Sequence, residues 1–559
     1  MRIHRPIAAR APRTLSLFLV LVAGLAASCS TPKLQSAILR PRVARIVETP
    51  GETVRGEPLL QREALVEFYK VRKNQPAWDL GAGARSVREA IEGIRRDGLN
   101  PADYHLAAID SLLAREDREP EADADLELLL TDAVAAMIDH ARYGLVRPAS
   151  LDKRWNVEPR KGAPPLHEAL ARVAEAGSPA DGIEKEKPDH FIYVGLRGEL
   201  DRLRKVAEAG GWPAIPLGRS IAPGTRDPRL PLVRARLTAT GELAKEAAAA
   251  ADSSAWDSSL VSAVKLFQDR HRLDADGVLD KETLDAMNVP VGDRVSQVVV
   301  NMERARWVLP NLGDDFLLVN LPAFKAYLIR DNQKIWETRT QIGKEARQTP
   351  SFRADMKFAI FNPTWTVPPT ILKEDVLGGI ARGENMLAKK NLKVYDQSGN
   401  RVDPSSVDWS AAQGGHFPYT LRQDAGADNA LGRVKFMFPN PYDIYLHDTP
   451  SRDLFAAEKR TFSSGCIRIE DPLGLAKMLL GDKGYDDAKI QEVIASGKTT
   501  QVNLTNSLPV LIVYWTTSVG ASGEVRWAPD VYGRDPAVLA ALEAAPRVAA
   551  ATSSGAEDE

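Results

Sequence analysis

Two cysteines in 559 residues exclude a disulfide framework. Beyond one N-terminal stretch, no run is apolar and uncharged over the roughly 20 residues that a membrane span needs, which excludes an internal transmembrane helix. Charge of one sign is lacking too: 73 Lys and Arg stand against 75 Asp and Glu, a formal net charge of −2. No cationic run is interleaved with aromatics, so nucleic acid is not expected as a partner. The eight histidines are scattered and neither HxxxH nor CxxC pairs occur, so no metal and no cofactor is expected. What remains is a chain long enough for three or four globular domains of about 150 residues each.

The one apolar run follows Arg2, Arg5, Arg10 and Arg13, and extends from Leu15 to Leu25. With Ala26, Ala27 and Ser28 before Cys29, this is the layout of a secretory signal peptide over residues 1–28. Small residues before a cysteine resemble the lipobox of bacterial lipoproteins, in which Cys29 becomes the acylated first residue and attaches the protein to a membrane. Ala26 stands where that box most often has Leu, which keeps plain cleavage open. Ser30 resembles the sorting position of lipoproteins sent to the outer membrane. The expected location is the periplasm of a Gram-negative-type bacterium.

That location makes Cys466 informative, because a solitary thiol in an oxidising compartment is a liability unless it is used. It closes the stretch Tyr445 to Arg468, YLHDTPSRDLFAAEKRTFSSGCIR. A thiol near its ordinary pKa of about 8.5 is mostly protonated at neutral pH and needs a base to become a nucleophile. His447 can be that base. Ser463, Ser464 and Gly465 are small enough to let the backbone turn and aim N–H groups at an oxyanion beside the sulfur.

Taken in order, residues 29–57 are polar with prolines and read as a linker. Residues 58–227 carry apolar positions at three- and four-residue spacing, as in LLQREALVEFYKVR, and predict a helical scaffold. In residues 228–291, Val264, Phe267 and Gln268 on one helix, Asp276 and Gly277 in a turn, and Thr283 and Leu284 opening the next resemble the three-helix peptidoglycan-binding domain. Leu260, Val264, Phe267 and His271 share a face, which a plain helical bundle explains equally well. Residues 292–535 turn to strands, DFLLVN, KAYLIR and QKIWETRTQIG first. Residues 370–430, including His416, read as an inserted lid, and 536–559 as a tail whose alanine-rich start reads as a helix. The expected fold class is α+β and multidomain, with a mainly β catalytic domain.

With NPTWTVP and NALGRVKF upstream, YLHDTP and SSGCIR resemble the catalytic domain of bacterial L,D-transpeptidases, in their large multidomain branch. The resemblance implies that Cys466 attacks a peptidoglycan tetrapeptide stem after its third residue and releases D-alanine. An acceptor stem's amine then forms a 3→3 cross-link, with His447 moving protons. It implies an oxyanion hole from the Gly465 and Cys466 N–H groups, and orienting roles for Tyr445, Ser464 and Arg468. An arginine beside a strand is also commonly a structural ion pair. The Asp448 carbonyl is a candidate holder of the other imidazole nitrogen, whereas its carboxylate reads as an exposed turn residue. Water as acceptor would make the protein an L,D-carboxypeptidase or endopeptidase. An idle domain would leave a lipid-anchored, peptidoglycan-binding scaffold. Transfer to a lysine of an envelope protein is a further variant, and the sequence leaves other envelope partners open.

Overall fold

The computed structural model describes residues 32–153, 155–157, 164–248, 253–409, 417–520 and 523–544. Cys29, the signal peptide and His416 lie outside the described residues. The helical part is built on Pro120–Tyr143, which starts with proline in its first turn and ends at Gly144, φ 87°. Nearly all of this helix is buried, and its acids are satisfied by distant groups. Asp132 accepts from the Leu60 and Gln61 N–H groups and from His105, and Glu127 from the Tyr69 hydroxyl.

Residues 32–48 are not a free linker. They form the helix Pro32–Glu48, whose Leu39, Val43 and Ile46 recur at four- and three-residue spacing and bury against the Pro120–Tyr143 helix. Arg42 pairs with the buried Asp125. The stripe is only three residues wide among charged neighbours, so it is visible as a face only once the partner helix is known.

In the three-helix unit, Gln268 holds the turn together. Its Nε2 donates to Asp276 Oδ1 (3.0 Å) and the Val278 carbonyl (2.9 Å), and its Oε1 accepts from the Gly277 N–H (2.8 Å). Leu260, Val264 and Phe267 fill the core of this unit.

The strand-rich part is a nine-stranded sheet: β1 Phe316–Asn320, β2 Lys325–Arg330, β3 Gln333–Gly343, β4 Phe352–Phe361, β5 Val434–Met437, β6 Leu446–His447, β7 Thr461–Ser463, β8 Ile467–Ile469 and β9 Thr500–Val513. Its order is β7-β3-β8-β6-β5-β4-β9-β1-β2, and β2 also pairs with β3, so the sheet closes on itself. Long β3 makes this possible: Gln333 to Arg339 pair with β2, and Thr340 and Gln341 with β8. Closure leaves few open strand edges.

Residues of one face, among them Leu317, Val319, Phe436, Leu446 and Ile467, share a core with the helices Pro472–Leu480 and Asp487–Ala495. On the other face, Phe316, Leu318, Leu511 and Val513 pack with helices Phe191–Glu208 and Val291–Val308. The expected scaffold limit at residue 227 therefore does not divide the packing, because Phe191–Glu208 shares the strands' core. Residues 535–543 are likewise no tail: they form the helix Asp535–Glu543, and Val538 is buried in that core.

The lid leaves the sheet after β4 and returns at β5, where Phe361 and Val434 are direct partners. Between them, Trp365–Thr366, Thr420–Gln423, Lys393–Tyr395 and Arg401–Val402 make a four-stranded sheet. Trp365, Val376, Met386, Val394 and Leu421 give it a core of its own.

Candidate active site

Strand pairing assembles the site. Gln341 pairs with Arg468, Arg468 with His447 and His447 with Lys435, giving one row across β3, β8, β6 and β5. Alternation does the rest: Leu446 and Ile467 point into the core, so His447 and Arg468 share the opposite face with Tyr445 and Cys466, each two residues away. Four of the residues singled out in the sequence thus meet on one face.

The imidazole of His447 is 4% exposed. Its Nδ1 lies 2.5 Å from the Asp448 carbonyl, which can only accept, so the proton sits on Nδ1 and Nε2 keeps its lone pair. Burial, then the Arg468 cation, pushes the imidazole down to about 3, with Lys435 adding to the effect. It is neutral at pH 7. The Asp448 carboxylate is not an exposed turn group: it is buried and held by Arg433 Nε (2.8 Å), the Arg433 N–H (3.0 Å) and Arg452 Nη1 (3.0 Å). Gly432, φ 60°, lies against it so closely that a Cβ would come 2.5 Å from the carboxyl carbon.

Cys466 is partly exposed. Burial of its sulfur pushes the thiol up to about 11, opposed by the Tyr445 N–H and hydroxyl and by Arg468. The thiol points at the Asp443 carbonyl, 3.6 Å away, and not at His447. Handing its proton to Nε2 therefore requires a side-chain rotation.

The turn before it is braced from within. Ser463 Oγ donates to the Cys466 carbonyl (2.5 Å) and accepts the Gly465 N–H (3.1 Å). Of the two expected oxyanion donors, the Gly465 N–H is therefore already engaged. Gly465 has φ 121°, a region that side chains rarely enter. Thr349 Oγ1 donates to the Gly465 carbonyl (2.7 Å).

Tyr445 packs its ring 5.6 Å from that of His447, and its hydroxyl neighbours the Cys466 thiol and the Trp365 indole. Burial and the thiol keep this phenol protonated. Arg468 is in no salt bridge among the described residues. Nη1 donates to Gln341 Oε1 (3.1 Å), and Nε is buried without a partner. Ser464 does not face the histidine; its Oγ accepts from Arg347 Nη1 (2.9 Å).

Sequence reading missed four contributors. Lys435 stands across from His447 with its Nζ 5.4 Å from the centre of the Tyr445 ring. Arg347 joins Ser464 to Asp375 (2.8 Å) and Glu374 on the lid. Gly432 and Arg433 hold Asp448. The motif NALGRVKF contains three of these residues, but only strand pairing tells which of them reach the site.

Comparison with known proteins now bears on this geometry. Residues 314–504, which hold the whole row, match the L,D-transpeptidase catalytic domain. Residues 63–200 match a scaffold domain, and residues 226–287 match the family described as "Putative peptidoglycan binding domain". The chain is 37% identical over 239 residues to a Haemophilus influenzae protein named "Putative L,D-transpeptidase". That alignment covers 43% of this chain and 48% of the relative, so the chain spans about half the length of the curated relative it matches. The three matches follow one another along the chain, at residues 63–200, 226–287 and 314–504.

Proposed function

We propose that the protein is a periplasmic peptidoglycan L,D-transpeptidase that forms 3→3 cross-links through a thioester on Cys466. The Cys466 sulfur adds to the carbonyl of the donor stem's third residue while His447 Nε2 takes the thiol proton. Collapse of the tetrahedral adduct breaks the peptide bond, and the proton goes to the departing D-alanine nitrogen. An acceptor amine then attacks the thioester, loses a proton to His447, and returns the thiol. The Cys466 N–H and the protonated Tyr445 hydroxyl are the oxyanion donors, and the Gly465 N–H joins them when Ser463 Oγ releases it. Arg468 takes a substrate carboxylate.

The observation that carries this reading is the combination on one face of Cys466, a neutral His447 fixed in its Nδ1–H tautomer, and a half-buried Arg468 without a carboxylate partner among the described residues. A thiol and a base serve acyl transfer, and the unpaired guanidinium favours a substrate with a free carboxylate. Export through residues 1–28, lipid attachment at Cys29 and glycan binding by residues 228–291 complete the proposal.

Mass spectrometry of the purified protein with disaccharide-tetrapeptides tests it. Dimers lacking one D-alanine, formed by wild type and absent from Cys466→Ala and His447→Ala, are the expected products. Tripeptide monomers alone would assign a hydrolase, and no turnover with retained binding to sacculi would assign a scaffold.

A further inference from the structure

A second polar site lies far along the chain from the catalytic row. A cavity of about 210 Å³ opens where helix Phe191–Glu208, the three-helix unit, helix Val291–Val308 and the hairpin ending at Trp527 meet. None of Tyr445, His447, Cys466 and Arg468 lines it. Its walls carry Arg202, Arg236, Arg270 and Arg294 against Glu199 and Glu242, so four positive charges face two negative ones and leave two in excess.

The two acids are already matched: Glu199 pairs with Arg202 (2.5 Å) and Glu242 with Arg270 (3.0 Å). Arg236 and Arg294 have no carboxylate among the described residues. Arg236 is 1% exposed and stacks 3.8 Å from the centre of Trp212, and Arg294 is 7% exposed and lies 4.7 Å from the centre of Trp527. Arg236 donates to the Met287 carbonyl (2.8 Å) and Thr240 Oγ1 (2.7 Å), and Arg294 to Gln297 Oε1 (2.9 Å) and the Ala286 carbonyl (3.2 Å). A guanidinium buried without an anion is still costly, and neutral acceptors and aromatic faces compensate only in part.

Three buried side-chain nitrogens of the lining lack any partner: Arg294 Nε, Arg270 Nε and His271 Nε2. Two of these are donors. The third is an acceptor, because His271 Nδ1 lies 2.8 Å from the Phe267 carbonyl and so carries the ring's proton. Burial and Arg294 keep this imidazole neutral. The cavity therefore offers unpartnered cationic N–H donors beside one unpartnered acceptor, with Trp212 and Trp527 in its lining. A ligand that satisfies them carries an anionic group such as a carboxylate and, near it, an N–H. That is the chemistry of a peptide's C-terminal residue.

We propose that this cavity binds the free C-terminal residue of a short peptide, with its carboxylate on Arg294 and Arg236 and its amide N–H donated to His271 Nε2. This is independent of the acyl-transfer reading, because no catalytic residue takes part. A cell-wall stem and a protein C-terminus share the chemistry and differ in handedness.

The full chain carrying Cys466→Ala is titrated calorimetrically with N-acetyl-D-Ala-D-Ala, its L,L form, the C-terminal amide and the form N-methylated at the terminal amide. Removing the carboxylate is expected to weaken binding at least about tenfold, and N-methylation several-fold. Arg294→Gln gives a comparable loss, and Arg468→Gln, which reports any binding at the catalytic row, gives none. Preference for the D,D form identifies a wall stem as the source, and preference for the L,L form a protein terminus. Equal binding of acid and amide, absence of binding up to about 10 mM, or loss in Arg468→Gln with retention in Arg294→Gln overturns the proposal. The ligand-side comparison stands even where Arg294→Gln fails to fold.

Discussion

Lys435 and His447 are direct partners in the antiparallel pairing of β5 with β6, so a cation is fixed beside the imidazole by backbone register alone. Arg468 flanks the same ring from β8. The histidine is thereby enclosed by positive charge on both sides, which discourages its own protonation and favours a thiolate nearby.

The acid limb of Cys466 acylation should consequently fall near pH 3 in the wild type, well below the ordinary imidazole range. Lys435→Met removes one of the two cations and should move that limb upward. Acylation rates measured between pH 3 and 8 check this, and identical limbs in both proteins would remove Lys435 from the account. Stability carries a matching signature. The unfolded histidine binds a proton near its ordinary pKa while the folded one holds it off to about 3, so the unfolded state binds more protons between these values. The stability from neutral His447 is present above the ordinary imidazole pKa and is lost as the pH falls through that window.

Gly432→Ala should be costly, because the new Cβ would meet the Asp448 carboxyl at 2.5 Å on a backbone at φ 60°. A loss of about 2–4 kcal/mol is expected. Activity should fall further than stability accounts for, since the displaced Asp448 carbonyl no longer fixes the His447 tautomer. Thermal unfolding and acylation kinetics at a temperature where the variant is folded separate the two effects. A variant with full activity would show that the clasp on Asp448 is dispensable.

Arg347→Ala cuts the link between Ser464 and the lid acids Glu374 and Asp375. The lid has its own core, so it should stay folded while its attachment to the site loosens. Faster proteolysis within residues 362–433 is expected, with little change in melting temperature. Unchanged cleavage would assign lid attachment to the packing around Tyr445 instead.

Gln268→Leu removes a side chain that bonds three groups of one buried turn. It leaves the Gly277 N–H unpaired, at about 1–3 kcal/mol, and the Val278 carbonyl with only the 3.5 Å bond from Thr283 Oγ1. Hydrogen exchange should accelerate in residues 258–288 and stay unchanged in the sheet. A global change would show that the three-helix unit does not open by itself.

Much of this architecture was legible locally. Tyr445, His447, Cys466 and Arg468 are brought to one face by a two-residue period that any strand reading supplies, and the glycine at 465 announces its own backbone angle. Gln268, Asp276 and Gly277 were legible as a pattern, although their work here is to hold a turn. Lys435 and Arg347 were not legible, because each acts through a contact more than ten residues away. The helix Pro32–Glu48 was hidden for a related reason: three apolar residues among many charges become a face only against Pro120–Tyr143. Helix Asp535–Glu543 was legible as a helix in its alanines, but its packing against the sheet was not, because alanines fit an idle helix as well as a packed one.

Because the excursion between β4 and β5 begins and ends on two residues that are paired with each other, Phe361 and Val434, the sheet supplies the closure that an ordinary tight turn would. The catalytic row is thus insulated from the length of what is inserted. Substrate choice can drift by exchange of the whole cassette, with no strand of the sheet having to change its register.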